Sequence, residues 1–197
     1  MTDVSNDTTD VGPFVSAAAP IGPLGAVLFT VSWAFSLSDP PSGTGLWYAA
    51  NAVGAAALAG LLVLVLALFV VREAGPGAAG RGFLALWALG LTVLLAGGVH
   101  SLAVGNQDTV LLPIGGITAA VGALGGAILI ARNRRLAGSP RRWAPLVYAA
   151  GTFVTGFFQG PEHTLRVNLA DLVTNLLLLG LAGAFHAGVA ASRKRTA

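Results

Sequence analysis

The sequence predicts an all-α, polytopic membrane protein, a six-transmembrane-helix bundle with both termini in the cytoplasm. Of its 197 residues, 55% are apolar and only 10% are charged, whereas soluble domains carry about a quarter charged residues. Its mean hydropathy is +0.77, and the apolar residues gather in long runs separated by short polar connections. These properties exclude a disordered chain, a nucleic-acid-binding module and an ordinary soluble enzyme.

The apolar runs define the predicted helices, because a helix needs about 20 apolar residues to cross the hydrocarbon of a bilayer. They form a membrane domain at 15–191, between an acidic, poorly ordered tail (1–14) and a basic tail (192–197). The first and fifth runs are slightly short, so each could also be a tilted or partly interfacial helix. The predicted helices cover residues 21–38, 46–71, 83–105, 110–131, 143–159 and 168–191.

Local features fit these helices in order. Pro40 and Pro41 end the first helix, and the second is the most apolar. Pro113 and Pro145 lie near the start of the fourth and fifth helices, where a missing N–H costs least. Trp47 and Trp143 lie at helix ends, where indole rings favour the membrane interface.

The basic residues give the orientation. With six spans, all of the 11 lysine and arginine residues except Arg166 fall on the side that carries both termini. Because cytoplasmic connections of membrane proteins are rich in Lys and Arg, we expect this side to be cytoplasmic and the protein to lie in the plasma membrane. The excess of basic residues then reflects orientation, and no nucleic-acid partner is predicted.

Small residues are concentrated in the fourth helix. Gly122 and Gly126 form a G-x-x-x-G pair, and Gly180, Ala184 and Gly188 form a second small stripe in the sixth helix. Such stripes let membrane helices approach closely. We therefore expect the fourth helix to lie in the centre of the bundle; a sharper hypothesis is that it faces the sixth. The stripes could mediate close helix packing either within one chain or between the chains of a homo-oligomer.

Polar residues inside membrane segments are functional candidates because their burial is costly. Asp171 lies about one turn into the sixth helix, and Asn175 shares its face. Both are predicted near the outer end, with other polar residues. Each of these residues could instead have a purely structural role. Asp171 would then stabilise the N-terminus of its helix, and His100 would be a buried histidine held by a hydrogen bond. The candidate ligand-binding residues are His100, Asn51, Asn175 and Gln159, and the candidate catalytic residues are Thr118, Asp171, His163 and Glu162.

No motif predicts a metal or another cofactor. The chain has no cysteine, and its histidines show neither H-x-x-x-H nor H-E-x-x-H spacing. Its single lysine, Lys194, lies in the terminal tail, which excludes a retinal-linked photoreceptor.

The order of features resembles the rhomboid family of intramembrane serine proteases. The small-residue run from Gly116 to Gly126 is similar to that family's fourth helix, and the basic connection after it also matches. At the family's serine and histidine positions this sequence has Thr118 and Asp171. A carboxylate is a weak base compared with histidine, so the resemblance implies a rhomboid-like protein without the protease dyad, a pseudoenzyme.

Three functions follow as hypotheses. The first is a non-proteolytic binding or scaffolding protein that recognises a segment of another membrane protein or a lipid of the surrounding bilayer. The second is a small transporter or channel subunit with a polar outer vestibule. The third is a membrane enzyme that uses an outer cluster of histidine and carboxylate side chains. Binding is the first choice because no complete catalytic motif is present.

Overall fold

The computed structural model describes residues 12–106, 109–156 and 165–196, and within these ranges the chain is helical without strands. Two short 3-10 turns, Arg134–Leu136 and Pro140–Arg142, lie between the fourth and fifth helices. The helices are α1 (Pro13–Ser36), α2 (Gly45–Val70), α3 (Ala78–Val104), α4 (Leu111–Arg132), α5 (Ala144–Gly156) and α6 (Leu165–Thr196).

The predicted all-α membrane architecture is confirmed. Five of the described helices are long and apolar enough to cross a membrane, namely α1 to α4 and the Asn168–Ala191 part of α6. The remaining helix, α5, is described over 13 residues. The protein is therefore an integral membrane protein with several spans.

Three helices extend several residues beyond their predicted bounds, and one of them is α3, which begins at Ala78 rather than residue 83. α1 begins at Pro13 rather than residue 21, because a proline suits the first turn of a helix and Val15 and Ala18 are buried against the bundle. α6 continues to Thr196, through most of the predicted basic tail. The first eleven residues, predicted as a poorly ordered tail, lie outside the described residues.

The helices form a closed ring in chain order. Each helix packs against the next along the chain, and α6 packs against α1. Glycines allow the closest of these contacts: a Cβ built on Gly60 of α2 would lie 2.8 Å from the Cα of Gly25 in α1. In the same way, Gly122 of α4 lies directly against the backbone of Trp87 in α3. The small residues thus serve contacts between consecutive helices.

The predicted central position of α4 is wrong. α4 packs mainly against α3 and α5, whereas α6 packs against α5 and α1, so α5 separates the two small-residue helices. Four of the five glycines of α4, all except Gly116, lie against α3, whereas a Cβ built on Gly180 of α6 would meet no atom within 4 Å. A small-residue stripe indicates a close contact without specifying the partner. The outer face of α4 instead carries an exposed apolar stripe of Ile114, Ile117 and Ile128.

Contacts between connections fix which helix ends lie together. Glu73, after α2, forms an ion pair with Arg141, before α5. At the other end of the bundle, a Cβ built on Gly105, after α3, would lie 3.0 Å from the hydroxyl of Tyr48 near the start of α2. The helices therefore alternate in direction. We call the end that contains Glu73 and Arg141 the basic end, and the other the opposite end.

Candidate functional site

A cavity of about 810 Å³ lies inside the ring and is lined by residues of α1 to α5. Its volume is within the range of roughly 300–1,000 Å³ that is typical of ligand pockets. No charged side chain lines it, and its wall is formed chiefly by aliphatic and aromatic groups. Such a cavity suits an apolar occupant, because apolar cavities do not hold water well.

The space exists because one wall has little side-chain volume. Four of the six α4 residues that line the cavity are small, namely Gly116, Ala119, Ala120 and Ala123, and their spacing of three, four and seven residues places them on one helix face. Larger side chains, including Leu58 of α2, line the other walls. The small residues of α4 thus have two effects. Some allow α3 to approach closely, and others leave the space that forms the cavity beside α5.

Two stacked rings close the cavity toward the basic end. The rings of Trp87 in α3 and Tyr148 in α5 have centroids 6.1 Å apart and an interplanar angle of 17°. Trp87 is 1% exposed. Nearer the basic end, Leu64, Leu84 and Ile130 fill the interior and are almost completely buried. This half of the described bundle is therefore a packed apolar core.

The cavity opens sideways, between α4 and α5. Three of its lining residues are also well exposed: Val121 by 50%, Leu124 by 38% and Phe153 by 60%. Residues 116–124 lie about 7 to 20 Å along α4 from its start. This depth falls within the hydrocarbon of a bilayer, which is about 30 Å thick, so the opening faces lipid chains.

The structure does not bring Thr118 and Asp171 together through a helix contact. Thr118 is half-buried on α4, and its hydroxyl donates a hydrogen bond of 2.8 Å to the carbonyl of Ile114. Asp171 is half-buried on α6, beyond α5. The side-chain bond of Thr118 is one that hydroxyl residues often form within their own helix.

The predicted ligand-binding residues are dispersed over the bundle. His100 is exposed near the end of α3, and Asn175 is buried on α6, the helix opposite α3 in the ring. The side-chain amide of Asn51 donates to the carbonyl of Trp47 within α2, at 2.8 Å. The other predicted candidates lie outside the described residues: Gln159, Glu162 and His163. Over the described ranges, no group of three His, Asp or Glu side chains is arranged to hold a metal ion.

Sequence reasoning missed a buried charge cluster at the basic end. Glu73 is 4% exposed and forms an ion pair with Arg141. The guanidinium of Arg141 also lies 5.2 Å from the ring centroid of Phe185 in α6, and burial lowers the pKa of Arg141 from its usual value. A signal was present, since Glu73 is the one acidic residue in the two basic connections at 71–77 and 133–143.

Comparison with protein-family models, with curated proteins and with solved structures finds no match for this chain. The cavity is therefore the feature from which a function is best inferred.

Proposed function

We propose that this integral membrane protein is a binding protein that holds the hydrocarbon chain of a membrane lipid in its cavity. The observation that carries the proposal is the sideways opening of an uncharged cavity at Val121, Leu124 and Phe153. A lipid chain would reach the cavity from the bilayer without leaving an apolar environment. Inside the cavity the lipid chain would fill space that the surrounding side chains leave empty. The dispersion contacts that it gains there favour binding.

The dimensions favour a chain over a transmembrane helix as the occupant. α4 and α5 remain in contact with each other, whereas a helix with its side chains is about 10 Å wide. A single hydrocarbon chain needs a narrower gap.

The alternative functions receive less support from the described residues. A transport path would have to cross the packed core around Leu64, Leu84 and Ile130. An enzyme would need reactive groups that converge, and Thr118 on α4 and Asp171 on α6 belong to helices that α5 separates. The rhomboid-like relationship and the plasma-membrane location remain predictions, and the binding function proposed here does not depend on either.

Photolabelling tests the proposal. The protein is reconstituted into vesicles that contain phosphatidylcholine with a diazirine in the middle of one acyl chain. After irradiation, mass spectrometry of peptides identifies the labelled residues. We expect strong labelling of cavity-lining residues, including Ala119 and Ala123, which face the interior of the ring.

A matched pair of variants separates the cavity from ordinary lipid contact. Ala120→Trp places a large ring at the opening, whereas Ile117→Trp places the same ring on the outer stripe of α4, where Ile117 is 68% exposed. We expect Ala120→Trp to reduce interior labelling about tenfold or more, an effect equal to about 1.4 kcal/mol in binding. Ile117→Trp should leave interior labelling unchanged. Equal interior labelling in both variants would refute the proposal.

A further inference from the structure

The connection between α4 and α5, residues 133–143, is a second candidate interaction site, which we call the arginine loop. It contains four arginines and no acidic residue, and a fifth arginine, Arg132, ends α4 immediately before it. The four arginines of the loop are Arg134, Arg135, Arg141 and Arg142.

The arginine loop is held against the bundle at several points. Arg141 forms its ion pair with Glu73, and the side chain of Asn133 donates a hydrogen bond of 2.8 Å to the backbone carbonyl of Glu73. Arg142 donates from Nε to the carbonyl of Ala131, at 2.7 Å. Leu136 packs against the apolar core. These contacts fix the loop between the ends of α4 and α5.

The remaining arginines point away from the core. Arg132, Arg134 and Arg135 are exposed. The guanidinium carbon of Arg142 lies 5.0 Å from the ring centroid of Trp143, and Trp143 is 52% exposed. Tryptophan favours the level of the lipid headgroups, so its position places the neighbouring arginines at that level as well.

The positive charge of this surface is not balanced by the nearby connection. Glu73 is the one acid in the stretch 71–77, and it is already paired with Arg141. Guanidinium groups bind phosphate through paired hydrogen bonds. A basic cluster beside the end of a membrane helix is attracted to anionic lipids by about 1 kcal/mol for each arginine or lysine.

We propose that the arginine loop binds the headgroups of anionic phospholipids in the leaflet at the basic end. Arg134 and Arg135 contact the lipid phosphates, and Trp143 sets the depth of the loop in the interface. The contacts of Arg141 and Asn133 with Glu73 hold the loop in place. This surface is separate from the cavity, whose lining on α4 ends at Leu124, eight residues before Arg132.

Native mass spectrometry in detergent tests the proposal, with dioleoylphosphatidylglycerol as the anionic probe and dioleoylphosphatidylcholine as the neutral one. The intact protein is titrated with each lipid, and the ratio of the two affinities is measured. We expect Arg134→Gln with Arg135→Gln to reduce the preference for phosphatidylglycerol on the order of 25-fold, or about fivefold for each arginine. Replacing both residues by lysine should preserve most of the preference.

The control changes the same amount of charge at the same end. Arg72 and Arg81 are exposed at the same end but lie outside the arginine loop and its neighbouring Trp143. They share the general attraction of basic residues for anionic lipids but are not part of the cluster, so Arg72→Gln with Arg81→Gln should reduce the preference by about fivefold or less. The proposal is overturned if the loop variant keeps its preference, or if its loss is within twofold of the control's loss. Neither outcome affects acyl-chain labelling of the cavity, so the two proposals can fail separately.

Discussion

Arg141 pairs with Glu73 and thereby joins the connection between α4 and α5 to the connection between α2 and α3. The same guanidinium lies over the ring of Phe185, and the side chain of Arg141 occupies the space that a Cβ on Gly188 would need. One arginine therefore ties together three parts of the chain at the basic end.

Glu73→Gln should destabilise the protein by about 3 kcal/mol, because it leaves the guanidinium of Arg141 largely buried without its charged partner. Thermal or SDS-induced unfolding in detergent micelles measures the change in the free energy of unfolding. Asp39→Asn makes the same chemical change at an exposed residue and should cost less than about 0.5 kcal/mol. Equal free energies of unfolding for the two variants would show that the buried Glu73–Arg141 pair does not stabilise the protein more than an exposed carboxylate does.

Gly122→Ala should destabilise the contact between α3 and α4 by about 1–3 kcal/mol. The added Cβ would meet the backbone of Trp87, which cannot move aside as a flexible side chain could. Gly116→Ala, on the same helix, adds a Cβ that meets no atom within 4 Å. We expect this control to be neutral or slightly stabilising, since alanine favours a helix. The prediction fails if the two variants unfold at the same denaturant concentration.

Trp87→Ala should cost about 3–5 kcal/mol, because it removes a buried aromatic ring and leaves a void. It also removes one half of the stack with Tyr148 that closes the cavity. Trp143→Ala is the matched control at an exposed tryptophan. In unfolding experiments, a similar loss in both variants would indicate that Trp87 is less important to the core than its burial suggests.

The predicted orientation can be tested with single cysteines, because the natural chain contains none. Ala137→Cys places a thiol at an exposed position in the arginine loop, and Ser42→Cys places one at an exposed position at the opposite end. A membrane-impermeant maleimide added to intact cells should label Ser42→Cys but reach Ala137→Cys only after the membrane is opened. The reverse pattern would place the basic end outside the cytoplasm.

The positions of most helices could be predicted from the sequence because apolar run length is a local property. α2 and α4 begin and end within about one residue of the predicted bounds, consistent with the length that a bilayer imposes. The start of α1 was missed since Pro20 and Pro23 lie inside the helix, and prolines usually indicate a helix boundary.

The arrangement of the helices could not be predicted in the same way. The spacing of Gly122 and Gly126 indicates a close contact but carries no information about which helix makes it. The cavity was missed because it depends on an absence of side-chain volume on α4 opposite larger groups on other helices. The Glu73–Arg141 pair joins residues far apart in the chain, so a lone acid among basic residues was its only visible sign.

The contact between α1 and α6 has a consequence for how the protein is assembled. A Cβ on Gly22 of α1 would lie 3.5 Å from the Cβ of Ala182 in α6, so α1 and α6 share an interface although they are far apart in the chain. During synthesis the N-terminal part emerges first, and neighbouring helices can associate as they are inserted. The flank of α1 that contacts α6 must nevertheless stay in contact with lipid until the ribosome has delivered α6, so the ring can close only after α6 is inserted.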